Sequence, residues 1–181
     1  MDALKRLTPW LLLASLLPAV LQATTLVKMS TEQLAAQATD IVIGTCTSVR
    51  SIWVDRSLVT LATIDVSESL KGDVRTELTL VLPGGVDASR PVPIAVTYPD
   101  APVVMPRDDV VLFLERDAPV QNGYQIVGFS QGKYSVVRDA FGRTLASPTR
   151  GLSADAVDLA TFKRRIKDLV RADESKGGTE Q

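Results

Sequence analysis

The chain of 181 residues contains no histidine and a single cysteine, Cys46. Without histidine it cannot build a Ser-His-Asp or Cys-His nucleophile system, and it lacks the commonest zinc ligand. One thiol excludes an internal disulfide and a cysteine-rich metal site. We therefore expect a non-catalytic protein without cofactor or metal, and we interpret Cys46 as a small buried side chain.

A strong charge of either sign is also missing. The formal net charge is −1 and the sequence pI is about 5.5. Such a chain has no basic field to attract nucleic acid or an anionic membrane surface. This balance argues against a nucleic-acid partner, while 45% apolar residues are enough to build a core.

The N-terminus has the features of a signal peptide. Lys5 and Arg6 precede the apolar run 10–17, and Ala23 offers a small residue before a cut. The alternative is a membrane anchor, but spanning a bilayer takes about 20 apolar residues, and this run is shorter. We predict that residues 1–23 are a cleaved signal peptide. The protein would then be exported, to the periplasm or outside the cell, with no stable membrane span left.

The stretch 40–72 predicts two long β-strands joined by a polar turn, because its apolar residues largely alternate. In the second strand Val59 and Leu61 share one face, whereas Ile64 and Val66 share the other. This phase slip predicts a bulge near residues 62–63, and bulges bend strands so that a sheet can curl. We therefore predict a mainly β fold: a small closed OB-like barrel of five or six strands.

Further patterns complete the predicted fold of one barrel domain, 24–149, with a short helix before it and a longer one after it. Ser30 and Gln33 form a capping box for a helix at 31–38. Apolar residues at helical spacing predict a helix at 153–170, capped by Ser153, within a C-terminal helical region 150–172. We expect a disordered tail at 173–181. The remaining predicted strands are 76–82, an edge strand at 92–97, 110–114, 124–129 and 133–137.

A proline-rich segment, 83–106, interrupts these strands with six prolines. Proline donates no ladder hydrogen bond and restricts the residue before it, so the segment predicts a long surface loop. Long loops on rigid scaffolds often carry binding sites. Outside it, the basic face of the C-terminal helix, with Lys163, Arg164 and Lys167, is interpreted as solvated, the alternative being a binding patch.

One motif matches a pattern found in the active sites of enzymes. Ser130-Gln131-Gly132-Lys133 fits the Ser-x-x-Lys pattern of acylating enzymes. In those enzymes the serine opens a helix, whereas Gly132 and the flanking β-patterns here indicate a strand or bulge. We therefore assign no catalytic residue.

The order of features resembles the netrin-like OB-fold domain of tissue inhibitors of metalloproteinases over about residues 24–137. The shared features are a capped helix, Ala-Thr-Asp-Ile-Val-Ile-Gly-Thr (38–45), a strand ending in Leu-Lys-Gly (70–72), and Val-Val-Leu-Phe-Leu (110–114). The chain is also similar to uncharacterised bacterial exported proteins with Leu-Lys-Gly, Pro-Gly-Gly and Gln-Gly-Lys blocks. The resemblance implies that Thr24, as the mature N-terminus, supplies an amine to a protease zinc, and that Thr25 enters the specificity pocket. This chain lacks the disulfides that clamp the inhibitory edge in that family.

Three hypotheses about function follow. The first is an exported, non-catalytic module that binds another exported protein. The second is an inhibitor of a metalloprotease, and the third is an oligosaccharide or single-strand nucleic-acid binder, which rests on fold analogy alone. The candidate partner-binding residues are Thr24, Thr25, Leu26, Gln131 and Lys133.

Overall fold

The computed structural model describes residues 28–73, 76–116, 118–141, 144–148 and 156–177. The predicted signal peptide, the candidate residues Thr24, Thr25 and Leu26, and Ser153 lie outside these ranges. The described part is mainly β with two helices, as predicted. The helices are α1 (Thr31–Gln37) and α2 (Leu159–Gly177). The strands are β1 (Asp40–Val54), β2 (Ser57–Lys71), β3 (Glu77–Pro83), β4 (Gly85–Asp87), β5 (Ile94–Val96), β6 (Asp109–Glu115), β7 (Gly123–Ile126), β8 (Lys133–Arg138), β9 (Thr144–Pro148) and β10 (Val157–Asp158).

Helix α1 begins as its sequence predicts. The Ser30 hydroxyl accepts a hydrogen bond from the Gln33 amide at 3.3 Å, and the Gln33 side chain accepts one from the Ser30 amide at 2.8 Å. These two bonds confirm the predicted capping box. Leu34 and Ala35 lie on the inner side of this helix and are buried.

Eight strands form one sheet in the order β1-β2-β3-β7-β6-β8-β9-β10. Strand β1 also pairs with β6. The series of pairings that runs from β1 through β2, β3, β7 and β6 therefore ends on β1 again. All these pairings are antiparallel except that of β3 with β7. Among the described strands, β4 and β5 pair with each other and with no other strand, so the predicted edge strand at 92–97 belongs to a separate two-stranded sheet.

The long hairpin of β1 and β2 exists, but the bulge was predicted in the wrong strand. Strand β2 pairs with β3 in unbroken register from Val59 to Asp65. At this point of the hairpin the extra residue is Thr47 of β1, because Cys46 pairs with Ile64 while Ser48 pairs with Thr63. Strand β2 has extra residues of its own only further along, at Ser67 and Leu70. The slip in the β2 pattern has another cause: Val59 and Leu61 belong to one buried cluster, and Ala62 and Ile64 to another. Strand β2 is buried on both faces at this point.

Strand β6 lies between two cores, which explains its continuous apolar sequence. Val111 and Phe113 belong to the core covered by α1 and α2. Val110, Leu112 and Leu114 belong to the core shared with β1, β2, β3 and β7. All five side chains are fully buried, which confirms the prediction of a central strand.

Helix α2 starts and ends later than predicted. Val157, assigned to the helix from its spacing, lies in β10, and the Thr161 amide donates to Asp158 Oδ1 at 2.9 Å. The helix continues to Gly177, so 173–177, predicted as disordered tail, is helical. Glu174 and Lys176 are good helix formers, and Asp173 Oδ2 lies 3.9 Å from Lys71 Nζ.

One more strand ends earlier than predicted, and one strand was not predicted. The predicted strand 124–129 ends at Ile126, and 127–132 forms turns. Strand β9 was missed, because Thr-Leu-Ala-Ser-Pro shows no clear alternation of apolar residues and its position is set by pairing with β8.

Candidate binding site

The turn 127–132 joins the start of the described chain to the proline-rich loop. On one side, the Gln131 side chain accepts a hydrogen bond from the Met29 amide at 2.7 Å. On the other side, Lys133 Nζ donates to the Val103 carbonyl at 2.6 Å. The structure thus brings together two of the five candidate residues. It also gives each of them a role in holding a segment in place.

Backbone conformation shapes this turn. Gly128 and Phe129 both have positive φ, at 65° and 64°. A Cβ at Gly128 would approach Met29 Sδ to 2.7 Å, so glycine is needed for the close contact with the N-terminal segment. Hydrogen bonds from the Val127 amide to Phe113 and from the Phe113 amide to Gly132 fix the turn to β6.

Lys133 is unusual for a lysine because only 6% of it is exposed. Burial lowers the pKa of its ammonium group, and the charge of Asp108 acts in the opposite direction. Ser130, 2% exposed, has a hydroxyl with no hydrogen-bond partner among the described residues. The Ser-x-x-Lys motif therefore spans a buried turn leading into β8, and not the start of a helix.

The proline-rich loop starts at a pair of glycines. Strand β3 ends at Pro83, one residue after its predicted end at Leu82, and Gly84 follows with φ at 84°. A Cβ at Gly84 would lie 2.4 Å from the Val96 carbonyl oxygen, and one at Gly85 would lie 2.5 Å from Ser51 Oγ. Both glycines thus permit close approach, which seats the β4–β5 hairpin on the β1–β2 hairpin.

The side chain of Trp53 binds the β4–β5 hairpin at the end of β4. Trp53 Nε1 donates to Asp87 Oδ2 at 2.9 Å, and Arg90 Nε donates to the same oxygen at 3.2 Å while its guanidinium lies 5.9 Å from the Trp53 ring centre. Hydrogen bonds from Ser89 and Trp53 hold the pKa of Asp87 well below its usual value. A tryptophan on a β-strand is expected to pack in the core, but Trp53 is 41% exposed, so it is not a core residue.

Beneath the proline-rich loop lies a cleft of about 270 Å³, which we call the loop cleft. Leu82 and Val104 are buried at its base, and Tyr98 and Val103 are exposed at its rim. A smaller cleft of about 150 Å³ shares Leu82, Pro83 and Pro102 with it and also contacts Phe129. The loop cleft and the turn 127–132 therefore form one continuous surface.

The proline-rich loop exposes several apolar side chains. Five large ones are exposed, each by between 47% and 76%: Val86, Val92, Tyr98, Val103 and Met105. Three of them, Val86, Tyr98 and Val103, line the loop cleft. Single exposed apolar residues are ordinary, but several that line one apolar cleft are typical of an interaction site.

Cys46 and the ion pair of Arg116 with Asp40 are not among the residues that line the loop cleft. Cys46 is buried, which confirms its predicted packing role, and burial raises the pKa of its thiol. Arg116 contacts the buried Asp40 through Nε at 2.9 Å and Nη2 at 3.1 Å, and this pairing raises the pKa of the guanidinium. Among the described residues, no group of three or more acidic, histidine or cysteine side chains could hold a metal ion.

Neither helix in the described part of the chain is long and apolar enough to cross a membrane. No protein-family model matches this chain, and no curated protein matches it. The resemblance to netrin-like domains therefore stays a prediction from the sequence.

Proposed function

We propose that this protein is an exported, non-catalytic binding module that takes apolar side chains of another exported protein into the loop cleft. The observation that carries the proposal is that three exposed apolar side chains, Val86, Tyr98 and Val103, line that cleft. Protein-binding surfaces combine such apolar residues with pockets that can receive an anchor side chain. A volume of about 270 Å³ is large enough for one such side chain and part of its neighbours.

We further propose that the scaffold is a small OB-like barrel. Its support is the circuit of pairings from β1 through β2, β3, β7 and β6 back to β1. The bulge at Thr47 and the buried glycine contact at Gly44, where a Cβ would lie 2.4 Å from the Asp65 carbonyl, favour a strongly bent β1. A bent strand that pairs with neighbours on both sides is what closing a small barrel requires.

The binding surface is well ordered before any partner arrives. Trp53 and Asp87 hold the β4–β5 hairpin at one end, and Lys133 holds Val103 at the other. Preorganised loops lose less conformational entropy on binding, so these contacts favour a binding role for the loop without disulfides.

A second function deserves testing because of where Met29 lies. Its amide is bound to Gln131, on the turn that continues into the loop cleft. Thr24 and Thr25 precede Met29 by only five and four residues. We propose, as the alternative, that the mature N-terminus and the loop together engage the active site of a secreted metalloprotease. Purified protein that begins at Thr24 should then inhibit a matrixin-type protease, and an added residue before Thr24 should abolish the inhibition.

The first proposal is tested by photo-crosslinking in the producing cells. A photoreactive amino acid at Tyr98, on the rim of the loop cleft, should crosslink a discrete protein, whereas one at Phe141, exposed on the β8–β9 turn, should not. With that partner purified, Val103→Asp should weaken binding about tenfold or more. Val137→Asp, at a similarly exposed valine on β8, is the control and should bind normally.

Equal crosslinking at both positions, or unchanged binding by the Val103 variant, would refute this function. Binding to oligosaccharides or single-stranded nucleic acid in place of protein would favour the third hypothesis.

A further inference from the structure

Strand β1 has an open outer side over its second half. It pairs with β2 along its length, but with β6 only from Asp40 to Thr45. At Cys46 the outer side is still covered, because its amide donates to the Asp108 carbonyl and its carbonyl accepts from the Arg107 amide. From Thr47 to Val54, which we call the β1 edge, no strand in the described ranges pairs with that side.

The hairpin turn shows which backbone groups face outward. Residues 55 and 56 form a two-residue turn closed by the pair Val54–Ser57. Hydrogen-bonded and non-bonded positions alternate along an antiparallel strand, so the amides and carbonyls of Val49, Ser51 and Trp53 point away from β2. An edge with three such residues is a template for another strand.

The side chains of these three residues share one face, and its apolar members are partly exposed. Val49 is 38% and Trp53 41% exposed, and Ser51 lies between them. Ser51 Oγ accepts a hydrogen bond from the Val86 amide at 3.0 Å, so the face is rigidly supported by the β4–β5 hairpin. The β1 edge therefore offers two apolar contacts to a neighbouring strand.

We propose that the β1 edge pairs antiparallel with the same edge of a second copy of this chain, with Ser51 on the two-fold axis. In this register Val49 lies opposite the partner's Trp53, and Trp53 opposite the partner's Val49. Each copy thus buries both exposed apolar side chains against the other. Because the contact uses the same edge on both copies, it closes at two and does not continue into a filament.

Other symmetric registers are less favourable. A two-fold axis at Arg50 would place two guanidinium groups opposite each other, which is repulsive. An axis at Ile52 would place Val49 opposite Asp55. Only the register centred on Ser51 pairs the two apolar residues.

The ends of the proposed contact have complementary charge. In the same register Arg56, at the tip of the hairpin, lies opposite the partner's Cys46. The segment 107–109 covers that position and carries two carboxylates and one guanidinium, a net negative charge. The dimer does not rest on the proposed function, because Tyr98 and Val103 of the loop cleft are not part of the β1 edge.

Sedimentation of the purified exported protein over a concentration series tests this dimer. We expect a monomer–dimer equilibrium. Val49→Glu places a carboxylate opposite the partner's Trp53, whose indole already binds Asp87, and should raise the dissociation constant about tenfold or more. Val137→Glu, at a valine of similar exposure on β8, is the control and should dimerise normally.

The register is tested by oxidation of cysteine variants. The double variant Val49→Cys with Trp53→Cys should form covalent dimers, because hydrogen-bonded antiparallel pairs place Cα atoms about 5.5 Å apart. Val49→Cys alone should not, since in this register the two positions 49 lie far apart. A monomer at every concentration, or equal crosslinking by the single and double variants with circular dichroism showing both folded, would overturn the proposal.

Discussion

Lys133 shows what a single side chain does for the candidate site. Its buried ammonium group holds the carbonyl of Val103 and thereby fixes the inner end of the proline-rich loop. Burying a charge is costly, and the lowered pKa of Lys133 expresses that cost. A residue kept in so unfavourable a position, at the margin of the loop cleft, fits a role in positioning a binding surface.

The lowered pKa predicts a dependence of stability on alkaline pH. Between the folded-state pKa and the ordinary value of 10.5, the unfolded chain holds more protons at this site than the folded chain. The free energy of unfolding should therefore rise with pH in this window. Lys133→Met should remove that rise, as measured by urea unfolding at a series of alkaline pH values.

Lys28→Met, at an exposed lysine, is the matched control and should keep the rise seen in the wild type. An identical pH dependence in the Lys133 variant and the wild type would show that the ammonium group is not destabilised by burial.

At the scale of elements, short helix α1 depends on its neighbours. Seven residues are too few for a stable helix in isolation. Its capping box provides hydrogen-bond partners for backbone amides at its N-terminus. Its buried face packs in one core with α2, and Glu32 forms an ion pair with Arg165 of α2 at 2.5 Å. Two other basic residues of α2, Lys163 and Lys167, both form ion pairs with Glu68 of β2. Burial alone would raise the pKa of Glu68, but these two lysines outweigh it and lower the value.

The Glu32 pair predicts a dependence of stability on acid pH. The hydrogen bond from Arg165 lowers the pKa of Glu32 from 4.5 to about 2. Its stabilisation is therefore complete above pH 4.5 and is lost as the pH falls toward 2. Glu32→Gln should lower the free energy of unfolding by roughly 0.5 kcal/mol at neutral pH, a modest value because the pair is exposed.

The difference between Glu32→Gln and the wild type should vanish near pH 2, which chemical unfolding at several acid pH values can measure. Glu77→Gln, at an exposed carboxylate on β3, is the control. A constant difference at every pH would contradict an ionic contribution.

Considered whole, the molecule does not divide into a β domain and an appended helix. Phe162 and Ile166 of α2 lie in one core with Val111 and Phe113 of β6. The rings of Phe162 and Phe113 have centroids 6.4 Å apart and meet edge to face. Strand β6 also contributes to the second core, so α2 is coupled through it to the circuit of strands. We therefore expect one cooperative unfolding transition.

Phe162→Ala tests this coupling. Removing a side chain that is 4% exposed should lower the free energy of unfolding by about 3–5 kcal/mol, because it leaves a cavity between α2 and the sheet. Phe141→Ala, at a ring that is 85% exposed, should change it by less than about 0.5 kcal/mol. Fluorescence and circular dichroism should report the same transition midpoint. Two separate transitions would show that α2 folds as an independent unit.

Patterns that depend on neighbours in the chain were predicted well. The capping box at Ser30, the end of β3 within one residue of Leu82 and the buried strand around Leu112 follow from local chemistry and apolar runs. The bulge was misplaced because Leu61 and Ala62 are buried on opposite faces of β2, a situation that alternation alone cannot distinguish from a slip in register.

Of the candidate site, the sequence supplied Gln131 and Lys133 but not what they contact. Gln131 binds Met29, which is 102 residues away in the chain, and Lys133 binds Val103, which is 30 residues away. Trp53 and Asp87 carry no local signal of their partnership either, since an indole and a carboxylate 34 residues apart meet only when two hairpins stack.

The sequence by itself determined that histidine-dependent and disulfide chemistry are excluded, that the fold is mainly β, and that 83–106 forms a proline-rich loop. These follow from residue types and from short-range steric preferences, which act without reference to the rest of the chain. Only the tertiary structure decided that this loop covers an apolar cleft, that the turn 127–132 joins it to residue 29, and that none of the described strands pairs with the outer side of the β1 edge. These depend on which distant strands pair, and pairing is selected by burial of the whole core at once.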